Sequence, residues 1–340
     1  MISLYSDQKN IFIPSIFSFC DEPDKTVEVF DYLKNESGQI ITLDFTKCEY
    51  ADTGALVLLN IFIKNLKHKT NAILNEKSDI NDLILVTGLN KRFNSSNLTL
   101  KNNLIKPLKI YMSPGSSKVA TDMTSYFHKC YADIGLDLNN MGLQRISCMI
   151  AEIADNCRNH GKSSWYGYAF FRNYDTASEC QFVFYNAGTT ISDNIISLDM
   201  ESELAQTLEL KSAKLKGYKK ETLWTLYAIQ QGVSSMREPF RGIGTVEYIE
   251  SFLELANFIH NQHSLMSITS GHVSILIDGS YSFIQSKELF DDNLGSKVIA
   301  FNNENSLNKQ PDLRVIRNLN TYFPGTVVSV RLILKDEYFI

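Results

Sequence analysis

The chain has 340 residues, enough for two domains of ordinary size, each with its own core. With 33 Lys and Arg against 38 Asp and Glu the formal net charge is −5, which argues against a general nucleic-acid binder. Hydrophobic residues at 44% and charged residues at 21% exclude a disordered chain. The six cysteines, Cys20, Cys48, Cys130, Cys148, Cys157 and Cys180, form no C-x-x-C pair. Buried or half-buried thiols of a reducing compartment are expected, rather than a zinc site or a disulfide framework. The apolar run 55–63 is interrupted by Asn60 and is far shorter than the roughly 20 residues that span a bilayer. The first residues carry no basic segment leading into an apolar one, so no signal peptide is expected. A soluble, cytoplasmic protein that meets neither membrane nor nucleic acid follows from these features.

In chain order, the first ninety residues alternate short strands and helices. A strand interrupted near Pro14 is predicted over 11–19, and an amphipathic helix over 25–33 with Val27, Phe30 and Leu33 on one side. The β-branched run 40–45 predicts a buried strand, and 55–66 an apolar helix capped by Asp52 or Thr53. A strand over 72–74 and a helix over 80–86 complete an α/β layer. Between 90 and 117 the composition turns Asn-, Lys- and Ser-rich, with Pro107 and Pro114, so 96–117 reads as a linker between domains at 1–95 and 118–340. Two long helices follow at 119–134 and 143–160, then strands at 166–172 and 180–185. Helical stretches at 201–220 and 222–231, a helix at 246–255 and strands at 265–277 and 327–334 complete an α+β pattern, with a polar insertion near 279–313.

Four short segments of the second region carry chemistry-bearing residues. Glu152 and Asn156 stand four apart on one helix, so both lie on one face. A carboxylate acting through water and an amide oxygen acting directly can share a hydrated Mg²⁺, which keeps most of its waters. Asn186 and Gly188 follow an apolar strand, where glycine lets the backbone approach a flat ring and the amide oxygen can accept from an amino group. Arg241, Gly242 and Gly244 lead directly into a helix, whose free N–H groups and dipole favour an anion. Gly325 and Thr326 open the last strand, with Thr326 able to hydrogen-bond near a bound base. Taken singly, each is an ordinary solvated helix face, turn or loop.

Their order along the chain resembles that of the Bergerat-fold GHKL ATPases. Glu152, Asp155 and Asn156 look like the N box, Asn186 and Gly188 the G1 box, Gly242 and Gly244 the G2 box, and Gly325 with Thr326 the closing Gly-Thr. The segment 228–235 before the G2-like box is most similar to the anti-sigma-factor kinase branch. The resemblance implies an α/β sandwich that binds ATP and Mg²⁺. Glu152 would be the general base, Asn156 the metal ligand and Asn186 the adenine contact. Gly242 and Gly244 would cradle phosphates with Arg241 beside them, and the Lys-rich stretch 211–220 would be a nucleotide lid. The family carries Asp at the G1 position. The Asn186 amide can present either end to a base, so rejection of guanine is expected to weaken.

The first region resembles a STAS domain, the anti-sigma-factor antagonist fold, on Leu43, Asp44, Phe45 and Thr46, then Ala51 to Leu56, then Leu85 to Leu89. Alignment on Gly54 puts Asp52, with Thr53 beside it, where that family carries its phosphorylated residue. The alternative role for Asp52 is a plain helix cap. Together the two resemblances imply an ATP-binding regulatory protein of the partner-switching type, with a regulatory protein partner and a homodimer as a further arrangement. Two other readings stay open: a Ser/Thr kinase acting on a separate antagonist, and an interaction module with a vestigial nucleotide site.

Overall fold

A computed structural model describes residues 8–35, 40–66, 69–75, 79–93, 108–111, 115–160, 164–174, 177–196, 203–215, 217–233, 243–258, 264–289 and 295–340. The chain is mixed α/β, with parallel and antiparallel sheets, and divides into two compact units. The first comprises Met1–Pro107 with Thr321–Phe323, and the second Leu108–Asn320 with Pro324–Ile340. Among the described residues no helix is long and apolar enough to cross a membrane.

In the first unit the order is β1 (Gln8–Phe12), β2 (Ile16–Phe17), α1 (Pro23–Asn35), β3 (Ile40–Asp44), β4 (Tyr50–Ala51), α2 (Thr53–Asn65), β5 (Lys69–Ile73) and α3 (Ile80–Thr87). Strand β3 lies between β1 and β5 in a parallel sheet, with Ile11 opposite Leu43 and Leu43 opposite Ala72. A strand paired on both edges and covered on both faces needs the continuous apolar run that predicted it. Helix α1 buries Val27, Phe30 and Leu33, and the Phe30 ring meets Phe17, Phe19 and Phe62 at centroid distances of 5.9, 5.7 and 4.8 Å. Asn60, the polar interruption in α2, donates to Thr87 O at 2.9 Å and accepts from Arg92 Nε at 2.8 Å, tying α2 to the end of α3.

Asp52 caps α2: one carboxylate oxygen accepts the Ala55 N–H at 2.5 Å, while the other accepts the Phe19 N–H at 2.9 Å. The residue is 5% exposed. Its charge is therefore held inside the unit, by one helix N-terminus and one loop amide. Thr53, the first residue of α2, is buried as well.

The second unit continues with β6 (Leu108–Tyr111), α4 (Ser116–Asp133), α5 (Asn140–His160), β7 (Trp165–Asn173), β8 (Ser178–Asn186), α6 (Ile191–Ile196), α7 (Glu203–Lys214), α8 (Lys220–Ala228), α9 (Gly244–Leu255), β9 (Leu265–Ile277), β10 (Ile284–Ser286), β11 (Ser296–Val298) and β12 (Ile316–Leu332). A five-stranded sheet of order β6-β7-β8-β12-β9 is antiparallel from β6 to β12. Helix α5 lies between α4 and α9 and packs on β7 and β8.

Several expectations change. Residues 108–111, read as linker, form an edge strand on β7, and the remaining part of that stretch up to 107, with 112–114, lies outside the described residues. The polar insertion 279–313 is not irregular throughout: β10 and β11 form a hairpin, and side chains serve as backbone partners around it. Gln230 both accepts from Ile299 N at 2.8 Å and donates to Ile299 O at 3.0 Å, and Glu288 accepts from Ser306 Oγ and Leu307 N. Polar composition cannot separate such a pinned segment from a solvated loop. Lys211, which a plain solvated helix face would leave exposed, is buried and donates to Asn308 at 3.1 Å. Cys148 is exposed, whereas the other five cysteines are buried.

Helix α6 was not predicted, although Thr190 and Asp193 form a reciprocal cap, each backbone N–H meeting the other's side chain at 3.1 Å. Strand β12 starts at Ile316 rather than 327, because the chain passes through Pro324 and Gly325 without ending the strand. Gly325 has φ +95°, and a Cβ there would collide with the carbonyl oxygen of Asn186. Only glycine fits at that crossing.

Replacing Asp52 with Ala removes a cap and leaves the buried Phe19 N–H without its acceptor. Denaturant unfolding of the full chain is expected to show a loss of about 2–4 kcal/mol in the first unit, and less for Asp52→Asn. A loss below about 0.5 kcal/mol would remove Asp52 from this structural role.

Candidate functional site

Helix α5 presents Glu152 and Asn156 toward the start of α9, and the two helices meet where Gly244 has no side chain. A Cβ on Gly244 would lie 2.5 Å from Glu152 Oε2 and 3.7 Å from the Asn156 amide. Behind this crossing a cavity of about 570 Å³ opens between α5, α9 and the sheet, within the range of about 300–1,000 Å³ usual for small-molecule sites.

Glu152, Asn156, Asn186, Gly244 and Thr326 all line it. Asn186 ends β8 and Thr326 stands directly opposite on β12. Gly188 is not part of the lining, but its N–H reaches Asn186 Oδ1 at 3.4 Å. Arg241 and Gly242 lie outside the described residues, as do His260 and His263. Asp52 and Thr53 belong to the first unit.

The cavity is chemically divided. Ile153, Ile229, Val233, Ile268 and Val328 supply an apolar wall, while Glu152, Asp155, Asn156, Thr245 and Glu247 gather at the α5–α9 end. Burial, the Glu247 and Asp155 charges and a hydrogen bond with Glu247 together hold the Glu152 carboxyl above the ordinary glutamate range. Asp155 is paired with Arg158 at 2.8 Å. A carboxyl pair of this kind either shares a proton or gains from a cation.

Among the described residues no three His, Cys, Asp or Glu side chains converge to make a metal cage. One amide and one carboxylate suit only a cation that keeps waters or takes oxygens from a ligand. Asn156 Nδ2 donates to Thr245 Oγ1 at 3.5 Å, which turns the amide oxygen away from Thr245. Thr245 in turn pairs with the buried Tyr248 phenol, whose pKa is raised mainly by burial.

At the other end the Asn186 amide hydrogen-bonds the Cys157 thiol, and burial pushes that thiol up to about 12 against the lowering effect of the bond. Thr326 Oγ1 lies 2.8 Å from Ser270 Oγ, which also accepts the Ile191 N–H at 2.9 Å. The cap of α6 and the floor of the cavity are thereby joined.

Sequence reasoning did not single out Glu247, Thr245, Tyr248, Cys157 or Ser270 as site residues. Thr245 and Cys157 adjoin Gly244 and Asn156, and Glu247 stands one turn along α9 from Gly244, so proximity was the available signal. Ser270 carries none, because β9 reaches the site only through the sheet. Comparison with known protein families, with curated proteins and with solved structures finds no match to this chain.

Removing the Glu152 charge tests the repulsion. A raised carboxyl favours folding at low pH and loses that advantage as pH rises through its folded value, because the unfolded chain gives up its proton first. Glu152→Gln is expected to raise the melting temperature, with a larger gain at pH 8 than at pH 5. An equal change at both pH values would rule out the charge repulsion.

Proposed function

We propose that the second unit binds Mg²⁺-ATP in this cavity, as a GHKL-type nucleotide domain of the Bergerat fold, and that the chain is a regulatory protein of the partner-switching type. The observation that carries the reading is convergence: residues from four separate stretches, Glu152 with Asn156, Asn186, Gly244 and Thr326, line one cavity. The apolar wall with the buried Asn186 amide suits a purine ring, and the polar end at the N-terminus of α9 suits phosphates that arrive with a cation.

Asn156, with Glu152 through water, would hold Mg²⁺, which would neutralise phosphate charge that the acidic end otherwise repels. Glu152, its carboxyl raised by burial and by the Glu247 and Asp155 charges, has the character of a general base for a water or hydroxyl. This favours an active ATPase or Ser/Thr kinase over a vestigial site. The first unit, a parallel α/β layer with Asp52 capping α2, is read as a STAS-type module that serves a regulatory protein partner.

Calorimetric titration of the full chain with ATP, ADP and GTP, with and without Mg²⁺, tests the site. Mg²⁺-dependent binding of ATP is expected. Asn156→Ala is expected to weaken it by about tenfold or more through loss of a direct ligand, and Glu152→Gln by less. Radiolabelled γ-phosphate then separates hydrolysis from transfer to a protein. Absence of binding by the parent chain, or unchanged binding by Asn156→Ala, would overturn the assignment.

A further inference from the structure

The first unit takes Thr321–Phe323 from the middle of β12, far down the chain from the rest of it. Phe323 is fully buried, and its ring meets Phe19, Phe30 and Phe62 at centroid distances of 5.5, 5.8 and 6.3 Å, edge-on to the first two. Phe17 joins the same cluster through Phe30. Edge-on rings at this range stabilise one another beyond the area they bury, so the core around Phe30 is incomplete without Phe323. Asp52 accepts the Phe19 N–H at 2.9 Å, so the residue that caps α2 also holds one of these rings.

Three residues lead from Phe323 to the cavity, and each is pinned. Pro324 has its φ fixed by its own ring, and its carbonyl oxygen accepts from the Tyr185 hydroxyl at 3.2 Å. Gly325 crosses Asn186 at φ +95°, where a side chain would collide, and its carbonyl oxygen accepts from Ser270 Oγ at 3.3 Å. Thr326 stands opposite Asn186 on β8 and lines the cavity. One extended run of chain therefore completes the core of one unit and forms part of the cavity wall in the other. A strand held at so many points does not shift at Thr326 without moving Phe323.

We propose that the first unit is not autonomous: its core is complete only while β12 stays paired in the sheet, so a ligand that stabilises the cavity end of β12 stabilises the first unit as well. Occupancy of the cavity is carried to the first unit by Phe323, which itself touches no ligand. By linkage, a partner that binds only the completed first unit tightens ligand binding by the same factor. For the identity of the ligand the inference rests on the nucleotide reading above, whereas the coupling through β12 does not.

Amide hydrogen exchange on the full chain measures the coupling, with α1 and β3 reporting on the first unit and β8 on the second. Mg²⁺-ATP at about ten times its Kd is expected to slow the most protected amides of β8 about tenfold, and those of α1 and β3 by a similar factor. Phe323→Ala is expected to keep the slowing in β8 and to cut that in α1 and β3 below about twofold. Phe323→Leu, which keeps an apolar side chain in the cluster, is expected to retain most of it. A purely structural role for Phe323 would raise the exchange rates and leave the response to Mg²⁺-ATP in place. Gly325→Ala needs no ligand: it forces a Cβ onto the Asn186 carbonyl in the second unit. It is expected to speed exchange about tenfold or more in α1 and β3 as well as in β8.

Slowing confined to β8 in the parent, or retained in α1 and β3 of Phe323→Ala, overturns the inference and leaves the nucleotide site standing. If the parent binds no nucleotide, the nucleotide reading falls and Gly325→Ala decides the coupling alone. Faster exchange or loss of structure in both units then upholds it, and any result that leaves α1 and β3 unchanged overturns it.

Discussion

In the second unit two helices, α5 and α9, meet closely at Gly244. The space that a side chain would fill there is taken by the Glu152 carboxylate, 2.5 Å from where a Cβ would lie, with the Asn156 amide 3.7 Å away. Because α9 begins at this residue, its first-turn N–H groups open beside two polar side chains of α5. A larger residue would push Glu152 aside or separate the helices, and the cavity behind the crossing would change shape. The acidic end, the helix N-terminus and the mouth of the cavity thus depend on one missing methyl group.

From that crossing a line of polar contacts runs through otherwise apolar packing. Asn156 donates to Thr245, Thr245 pairs with Tyr248, Tyr248 neighbours Cys157, and Cys157 meets Asn186. Buried polar groups persist only when each is paired, and here the pairing has a consequence at both ends. The Asn156 nitrogen is committed to Thr245, and the Asn186 oxygen accepts the Gly188 N–H. Each oxygen is thereby distinguished from its nitrogen. The cavity is polarised as a result, with carboxyl groups at one end, an apolar wall along its length and a single oriented amide at the other.

In the first unit, placement decides what a charge can do. Asp52 carries the right chemistry for a fixed negative charge at a helix N-terminus, yet both of its oxygens are bound to backbone N–H groups and the residue is buried. Its charge stabilises the turn between Phe19 and α2 rather than projecting from the surface.

The sequence by itself determined the elements whose apolar spacing is strong: β3, α1, α2, the two long helices α4 and α5, and β9, whose ends at 265 and 277 are those predicted. It also supplied the residue types at Glu152, Asn156, Asn186, Gly244 and Thr326, since helix spacing and glycine punctuation are local properties. Only the tertiary structure decided that these residues share one cavity, because their neighbourhood is created by α5, α9 and the sheet packing together across long stretches of chain. The partners that give each group its character belong to the same class: Glu247 against Glu152, Thr245 against Asn156, Cys157 against Asn186. Hydrogen bonds and burial between residues distant in sequence leave no periodic trace, as with Glu288 holding the 279–313 insertion. Spacing along a chain records which face a side chain is on, whereas charge, amide orientation and burial are fixed by what packs against that face.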